Sequence, residues 1–266
     1  MPGDGLLDFL PLWLLFLATV LLVLLVVEAG YRLGTYRHAR SESEKEAPVG
    51  AMVGTTVGLL AFLLAFAFGM ATTRYEYRRT VVLDESNGIG TAYLRTSLLE
   101  AEQATLVRKL LREYVDVRIE AVDTGNIAKG MRRSEQLHNL LWAEAARAGS
   151  KDPKSVMVGL FIQALNDVID LHSIRVQAGL RSRLPGTIWL ALYAVAVVAF
   201  AGVGYHGGLT GTSRSLAILA MALAFSTALW LIANLDRPQA SWLQVSQEAM
   251  TDLRATMTEP APIPSP

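Results

Sequence analysis

Residues 58–79 read GLLAFLLAFAFGMATTRYEYRR. An uncharged, mostly apolar run passes into four charges within six positions, Arg74, Glu76, Arg78 and Arg79. No proline separates the two halves, and helical spacing carries on to Val82. Such a helix has one end suited to lipid and the other to water. Phe62 and Phe66 sit one turn apart and so lie above one another on one face. The organisation of the molecule turns on what that face meets.

The lipid-like composition recurs three more times. Leu10–Ala29, Gly50–Thr72, Thr187–Tyr205 and Ser215–Leu235 each approach or exceed the about 20 apolar residues that cross a bilayer core. Hydrophobic residues make up 52% of the 266, concentrated in these blocks. The start, MPGDGLLD, carries Asp4 and Asp8 and no Lys or Arg. The first run is therefore read as a retained membrane helix rather than a secretory signal, which wants a basic start and a shorter apolar core. Equal numbers of basic and acidic residues, 24 of each, leave no basic domain to neutralise phosphates, so no nucleic-acid partner is expected. The absence of cysteine excludes disulfides, thiolate nucleophiles and Cys-based metal sites.

Between the second and third apolar segments the chain is charged and reads as helices. Residues 102–122 put Leu106, Val107, Leu110, Leu111, Tyr114 and Val117 on one face. Asp123-Thr124-Gly125 reads as a break. A second helix over 126–148 carries Met131, Leu137, Leu140, Leu141 and Ala145, and Gly149-Ser150 closes it. Asp152-Pro153 reads as an N-cap with proline at the first helical position. The helix that follows runs to about Leu184, with Met157, Leu160, Phe161, Leu165, Val168, Ile169 and His172 along a stripe, and Pro185-Gly186 ends it. The expected fold is all-α: a polytopic membrane protein with a first transmembrane pair in 1–73, a helical, cytosolic domain in 74–184, a second pair in 185–235 and a partly disordered tail over 236–266, ending PAPIPSP. The flanks disagree on orientation. Arg32, Arg37, Arg40 and Lys45 follow the first span, whereas Arg74, Arg78, Arg79, Arg175, Arg181 and Arg183 border the middle region. Counted over the whole chain with Arg214, Arg237 and Arg254, the positive-inside rule favours the middle region inside.

Gly50, Gly54 and Gly58 repeat at four-residue spacing, and Ala61, Ala65, Gly69 and Thr73 form a second row. Small residues let helices approach closely, and in lipid that packing drives association. The rows serve either packing within the chain or packing against copies of it around an axis. Phe62 and Phe66 are likewise either ordinary apolar filler or, around an axis, stacked apolar rings of the kind that gate ions by dewetting.

The stretch AFLLAFAFGMATTRYEYRRTVVLDESNGIG resembles the second-helix signature of bacterial membrane proteins with the bestrophin-like domain, and more distantly the bestrophin anion channels. The signature Arg and following aromatic are matched by Arg74 and Tyr75, a second Arg five positions on by Arg79, and an Asn thirteen positions on by Asn87. RLPGTIW (183–189) and LDRP (235–238) resemble the family too. The resemblance implies a homopentamer in a bacterial inner membrane, with chloride or another small anion passing a narrow apolar neck on the second helix. The neck layers, eight, twelve and sixteen residues before the signature Arg, fall on Phe66, Phe62 and Gly58. Gly58 departs from the pattern, because it cannot supply a bulky layer. DRPQASW departs from the Asn-Pro-Phe-Gly-Asp-like stretch of the channels, and no match to the calcium-binding acidic cluster of animal bestrophins is evident. A ring of basic residues at the inner mouth would concentrate anions. As single residues, Arg78 and Arg79 also fit interfacial anchors.

Other chemistry is poorly supported. His38, His138, His172 and His206 form no local metal pair, and His172 fits a core or interface position. GIGTAY (88–93) lacks the third glycine of a dinucleotide fingerprint, and GGLTGTSR (207–214) reads as the turn between the last two spans. No Gly-x-Ser-x-Gly elbow or HExxH occurs, so no enzyme, cofactor or metal site is expected. The span interiors contain no Asp, Glu, Lys, Arg or His, which counts against a proton-coupled pump. The leading expectation is an anion-preferring channel. The alternative is a non-conducting membrane scaffold whose helices over 102–184 bind a partner. A transporter would have only Thr55, Thr56, Ser226 and Thr227 as mid-span polar groups.

Overall fold

The structure, a computed structural model, describes residues 10–40, 46–211, 216–237 and 245–257. The first nine residues, Lys45, Ser213 to Ser215, the QASW of DRPQASW and the PAPIPSP end lie outside the described residues. The described residues are helical throughout, without strands: α1 (Leu12–His38), α2 (Glu46–Arg95), α3 (Ala101–Asp123), α4 (Ile127–Lys151), α5 (Val156–Val176), α6 (Gly186–Leu209), α7 (Leu216–Asp236) and α8 (Glu248–Thr256). Four helical stretches are long and apolar enough to cross a membrane: Leu12–His38, Ala47–Leu98, Val156–Leu209 and Leu216–Asp236. In the third, the part without Asp, Glu, Lys or Arg is α6, since α5 carries Asp167, Asp170 and Arg175.

The chain folds as two units. One comprises the chain up to Tyr75 with Ser182–Gln244; the other comprises Glu76–Arg181 and the chain from Val245 on. The helix α2 contributes to both.

In the first unit α1, α6, α7 and the first part of α2 share a core built on Val23, Val27, Leu60, Ala67, Ala71, Trp189, Phe200, Phe225 and Leu229. Its tightest contact is between the backbones of α1 and α6. A Cβ on Gly30 would lie 2.1 Å from the carbonyl oxygen of Ala201, and one on Gly204 would lie 2.0 Å from that of Val27. Gly34 and Gly208 meet Tyr205 and Tyr31 in the same way. Two small-xxx-small pairs thus face each other, the arrangement that lets membrane helices touch backbone to backbone. Close packing within the chain therefore centres on α1 and α6, not on the second-span rows singled out in the sequence. Thr19 and Tyr193 add a hydrogen bond between the same two helices at 2.8 Å.

In the second unit α3, α4, α5, α8 and the later part of α2 surround Ile89, Leu111, Tyr114, Leu137, Leu141, Phe161, Leu165 and Met250. The break expected at Asp123-Thr124-Gly125 is present: Gly125 takes a φ of +69°, where a side chain would be strained, and Asn126 caps α4. Other boundaries differ. The helix α4 runs through Gly149-Ser150 to Lys151, and α5 starts at Val156 behind a Ser155 cap rather than at Asp152-Pro153. Its α-helical part stops at Val176, where a π-helical turn over Gln177–Arg181 follows. Ser155 supplies the N-cap acceptor, so the upstream Asp-Pro stays in the connection. Leu106, Leu140, Met157 and Leu160 are exposed, because only the centre of each apolar stripe is covered. Part of the tail is folded: Met250 and Met257 are buried, the Ser86 hydroxyl donates to the Ala249 carbonyl at 2.7 Å, and Arg112 donates to the Met257 carbonyl at 2.6 Å.

Replacing Gly204 by Val is expected to destabilise the first unit by about 1–3 kcal/mol or more, the usual cost of overpacking when backbone is the obstacle. Gly54→Ala, where no atom of the described residues lies within 4 Å of the new Cβ, is expected to leave stability unchanged or raise it by up to about 1 kcal/mol through helix propensity. Denaturant titration in detergent micelles measures both; equal effects would refute the backbone contact.

Candidate functional site

Burial on α2 recurs at three- and four-residue steps. Leu60, Ala67 and Ala71 enter the core of the first unit, with Leu63 and Leu64 packed beside them. The opposite side is uncovered: Phe62 is 67% exposed and Phe66 58%, and Gly54, Gly58, Ala61, Ala65 and Gly69 are exposed between them. Among the described residues, no atom lies within 4 Å of a Cβ built on Gly54, Gly58 or Gly69. Packing within the chain thus does not occupy these glycines. Gly50 differs, because a Cβ there would lie 2.8 Å from His206 Nε2. A groove of about 520 Å³ runs along Ala65, Phe66, Gly69, Met70, Thr73 and Arg74.

The signature residues divide. Arg74 turns toward the chain that enters α6: its Nη1 donates to the Arg183 carbonyl and lies 3.5 Å from Ser182 Oγ. The Leu184 N–H donates to Asp236 Oδ1 at 2.7 Å, and Arg183 donates to the Asp236 carbonyl at 2.5 Å. RLPGTIW, the Leu-Asp of LDRP and Arg74-Tyr75, separated in sequence, thereby meet in one polar latch, where the apolar part of α2 gives way to its charged part beside the start of α6 and the end of α7. Tyr75 packs on the core beside it. Arg79 is exposed, 4.0 Å from Glu76, and Asn87 is exposed farther along α2.

A second polar group lies wholly inside the second unit, and sequence reasoning missed it except for placing His172 in a core. Glu85, fully buried, receives a hydrogen bond from Tyr114 at 2.6 Å and another from Arg175. Arg118 approaches the same carboxylate, with Nε 3.3 Å from Oε1. His172 Nδ1 lies 3.1 Å from the Tyr114 hydroxyl, and the His138 and His172 rings meet edge-on at 4.8 Å. Arg175 also donates to Gln247 Oε1 at 2.7 Å. Burial pushes the Glu85 carboxyl up, but Arg118, Arg175 and the Tyr114 hydroxyl outweigh it and hold the group below its ordinary range. Burial, with the Glu85 charge, raises Tyr114 well above its usual value. Burial lowers Arg175. The sequence signal was a charge on an apolar stripe: Glu85 shares its face with Val82 and Ile89, and Arg118 lies one turn beyond Tyr114. Among the described residues, no group of three or more His, Asp and Glu side chains could hold a metal ion.

The Bestrophin-like domain family model matches residues 14–250. A point variant of a bacterial bestrophin homologue from Klebsiella pneumoniae has a similar structure, with a TM-score of 0.65 at 14% identity, covering 92% of this chain and 97% of its own. A second variant of a Klebsiella pneumoniae bestrophin homologue gives 0.66 at 14% identity, covering 91% and 97%. A structure described only as a membrane protein gives 0.66 at 13% identity, covering 92% and 97%. No curated protein matches the chain. At such identities the likeness shows the fold.

Removing the Glu85 charge by Glu85→Gln leaves two guanidiniums buried without a counter-charge, and stability is expected to fall by about 3–5 kcal/mol. Chemical denaturation at neutral pH checks this; a loss below about 1 kcal/mol would show that the arginines re-solvate and that the carboxylate is not what holds them.

Proposed function

The chain belongs to the bestrophin-like domain family, and on that premise we propose that it is a passive, anion-preferring pore made by several copies around an axis, with α2 lining the path. Phe62 and Phe66 from each copy form two stacked apolar rings, and Gly58 leaves a wider third level. The second unit lies in the cytoplasm of a bacterial cell and the first in its inner membrane. Arg79 contributes positive charge near the inner mouth, where it raises local anion concentration. A pentamer rests on family resemblance.

The observation that carries this reading is the composition of the uncovered face of α2. A helix side that meets acyl chains does well with large aliphatic residues, as on α1, where Leu17, Leu21 and Leu25 are exposed. The uncovered side of α2 also carries Met52 and Leu59, but along it phenylalanines alternate with Gly54, Gly58, Ala61, Ala65 and Gly69, which leaves the backbone accessible to another helix. The buried share of its most apolar window is 11%, against 22–33% in the other three stretches. Arg74 belongs to the latch, which fixes the end of the apolar stretch rather than offering a free charge. The transporter reading loses support at three of its four groups, because Thr55, Thr56 and Thr227 donate to the carbonyls of Ala51, Met52 and Leu223 on their own helices, while the Ser226 hydroxyl is buried without a hydrogen-bond partner among the described residues.

Purified protein in a planar bilayer is expected to pass chloride, and Phe62→Ala with Phe66→Ala to change conductance or gating. Absence of current from a verified oligomer, in wild type and double mutant alike, would defeat the pore. A monomer in detergent would instead favour a non-conducting scaffold, with the second unit as its partner-binding part.

A further inference from the structure

We propose that the buried group around His138 and His172 is a proton-operated lock on the second unit, closed while both rings are neutral and released by acid. Every helix of that unit except α8 supplies a member: Glu85 from α2, Tyr114 and Arg118 from α3, His138 from α4, His172 and Arg175 from α5. The segment before α8 adds Gln247, an amide without charge.

The proton inventory follows from the contacts. The Tyr114 hydroxyl has one proton and gives it to Glu85 Oε1 at 2.6 Å. Its 3.1 Å contact with His172 Nδ1 must then run the other way, from the imidazole N–H to the phenolic oxygen. A neutral His172 therefore carries its proton on Nδ1, and a further proton could enter only at Nε2. The His138 Nε2 is buried with no hydrogen-bond partner among the described residues, and its ring lies 4.9 Å from Tyr114 and 4.8 Å from His172. Arg118 and Arg175 already face the single carboxylate of Glu85, so the group holds one excess positive charge with both histidines neutral. A proton on either ring adds another, with no second carboxylate in the group to meet it.

The titration agrees with the geometry. Burial, then Arg118, brings His138 down to about 4 against the partial opposition of Glu85. Burial, then Arg118 and His138, brings His172 to about 3. Both folded values lie below the ordinary 6.5, so the unfolded histidines bind protons that the folded ones refuse. The stability this gives is complete above about 6.5 and is lost as pH falls below it. Glu85, whose pKa is lowered from 4.5, stays ionised through the upper part of that window. Acid between about pH 5 and 6.5 thus acts through the histidines. The span interiors of the first unit carry no Asp, Glu, Lys, Arg or His, and His206 and Asp236 lie toward the ends of α6 and α7, so among the described residues that unit has no buried histidine pair to protonate.

The lock does not depend on conduction, and its test reads none. Hydrogen exchange of the full chain in detergent, corrected for intrinsic rate, is measured between about pH 7.5 and 5. Opening of residues 101–123 and 156–176 is expected to rise up to about a hundredfold per pH unit below 6.5, about tenfold for each histidine exposed. Residues 186–209 and 216–236 should not follow. In His138→Leu the slope should fall to about tenfold per unit. The lock is overturned by an unchanged slope in that variant, or by both units opening together. Should the variant not fold, imidazole ¹⁵N resonances of the wild type decide: both rings neutral at about pH 5, with His172 protonated on Nδ1, support the lock, and an imidazolium at His138 or His172 in the folded chain at that pH overturns it.

Discussion

Helix α2 buries Leu60, Ala67 and Ala71 on one side and, among the described residues, leaves the side of Phe62 and Phe66 uncovered, and the other features of the fold follow from that asymmetry. In lipid, apolar side chains gain little by leaving one apolar neighbour for another, so helices associate where small residues let backbones meet. On α1 and α6 those residues are used up: Gly30, Gly34, Gly204 and Gly208 meet carbonyls or backbone of the partner helix. On α2, Gly54, Gly58 and Gly69 meet nothing within the subunit among the described residues. The subunit is thus complete around α1 and α6 and incomplete along α2, which is why the functional reading concentrates there.

Polar groups occupy two kinds of place. In the first unit they cluster at the ends of helices, where Arg74, Arg183 and Asp236 satisfy backbone groups of the α6 entry and the α7 exit. Such bonds are worth most for what they prevent, since a buried N–H left without an acceptor costs more than the bond contributes. In the second unit a charged group sits in the interior instead. Ion pairs of that kind seldom stabilise more than apolar residues of the same shape would. Their presence is better explained by what a charge can do and a leucine cannot: define one arrangement of the helices, and respond to protons.

The all-helical class and the four apolar stretches are legible in the amino-acid sequence, because the length and hydropathy of a segment are local properties. So is local punctuation, such as the turn at Gly125, where a positive φ needs glycine, and the start of α6 after Pro185. Family membership was legible in the run from Ala61 to Gly90, and the glycines of α1 and α6 were present at a spacing that could have been recognised. Folding in three dimensions is what settles which small residues face a partner within the chain, that Arg74 bonds a carbonyl 109 positions away, and that Glu85 gathers Tyr114, Arg118, His172 and Arg175. Periodicity tells that a helix has a covered face but not which helix covers it. Contacts across such distances depend on how several stripes are matched at once, and no window of sequence contains that information.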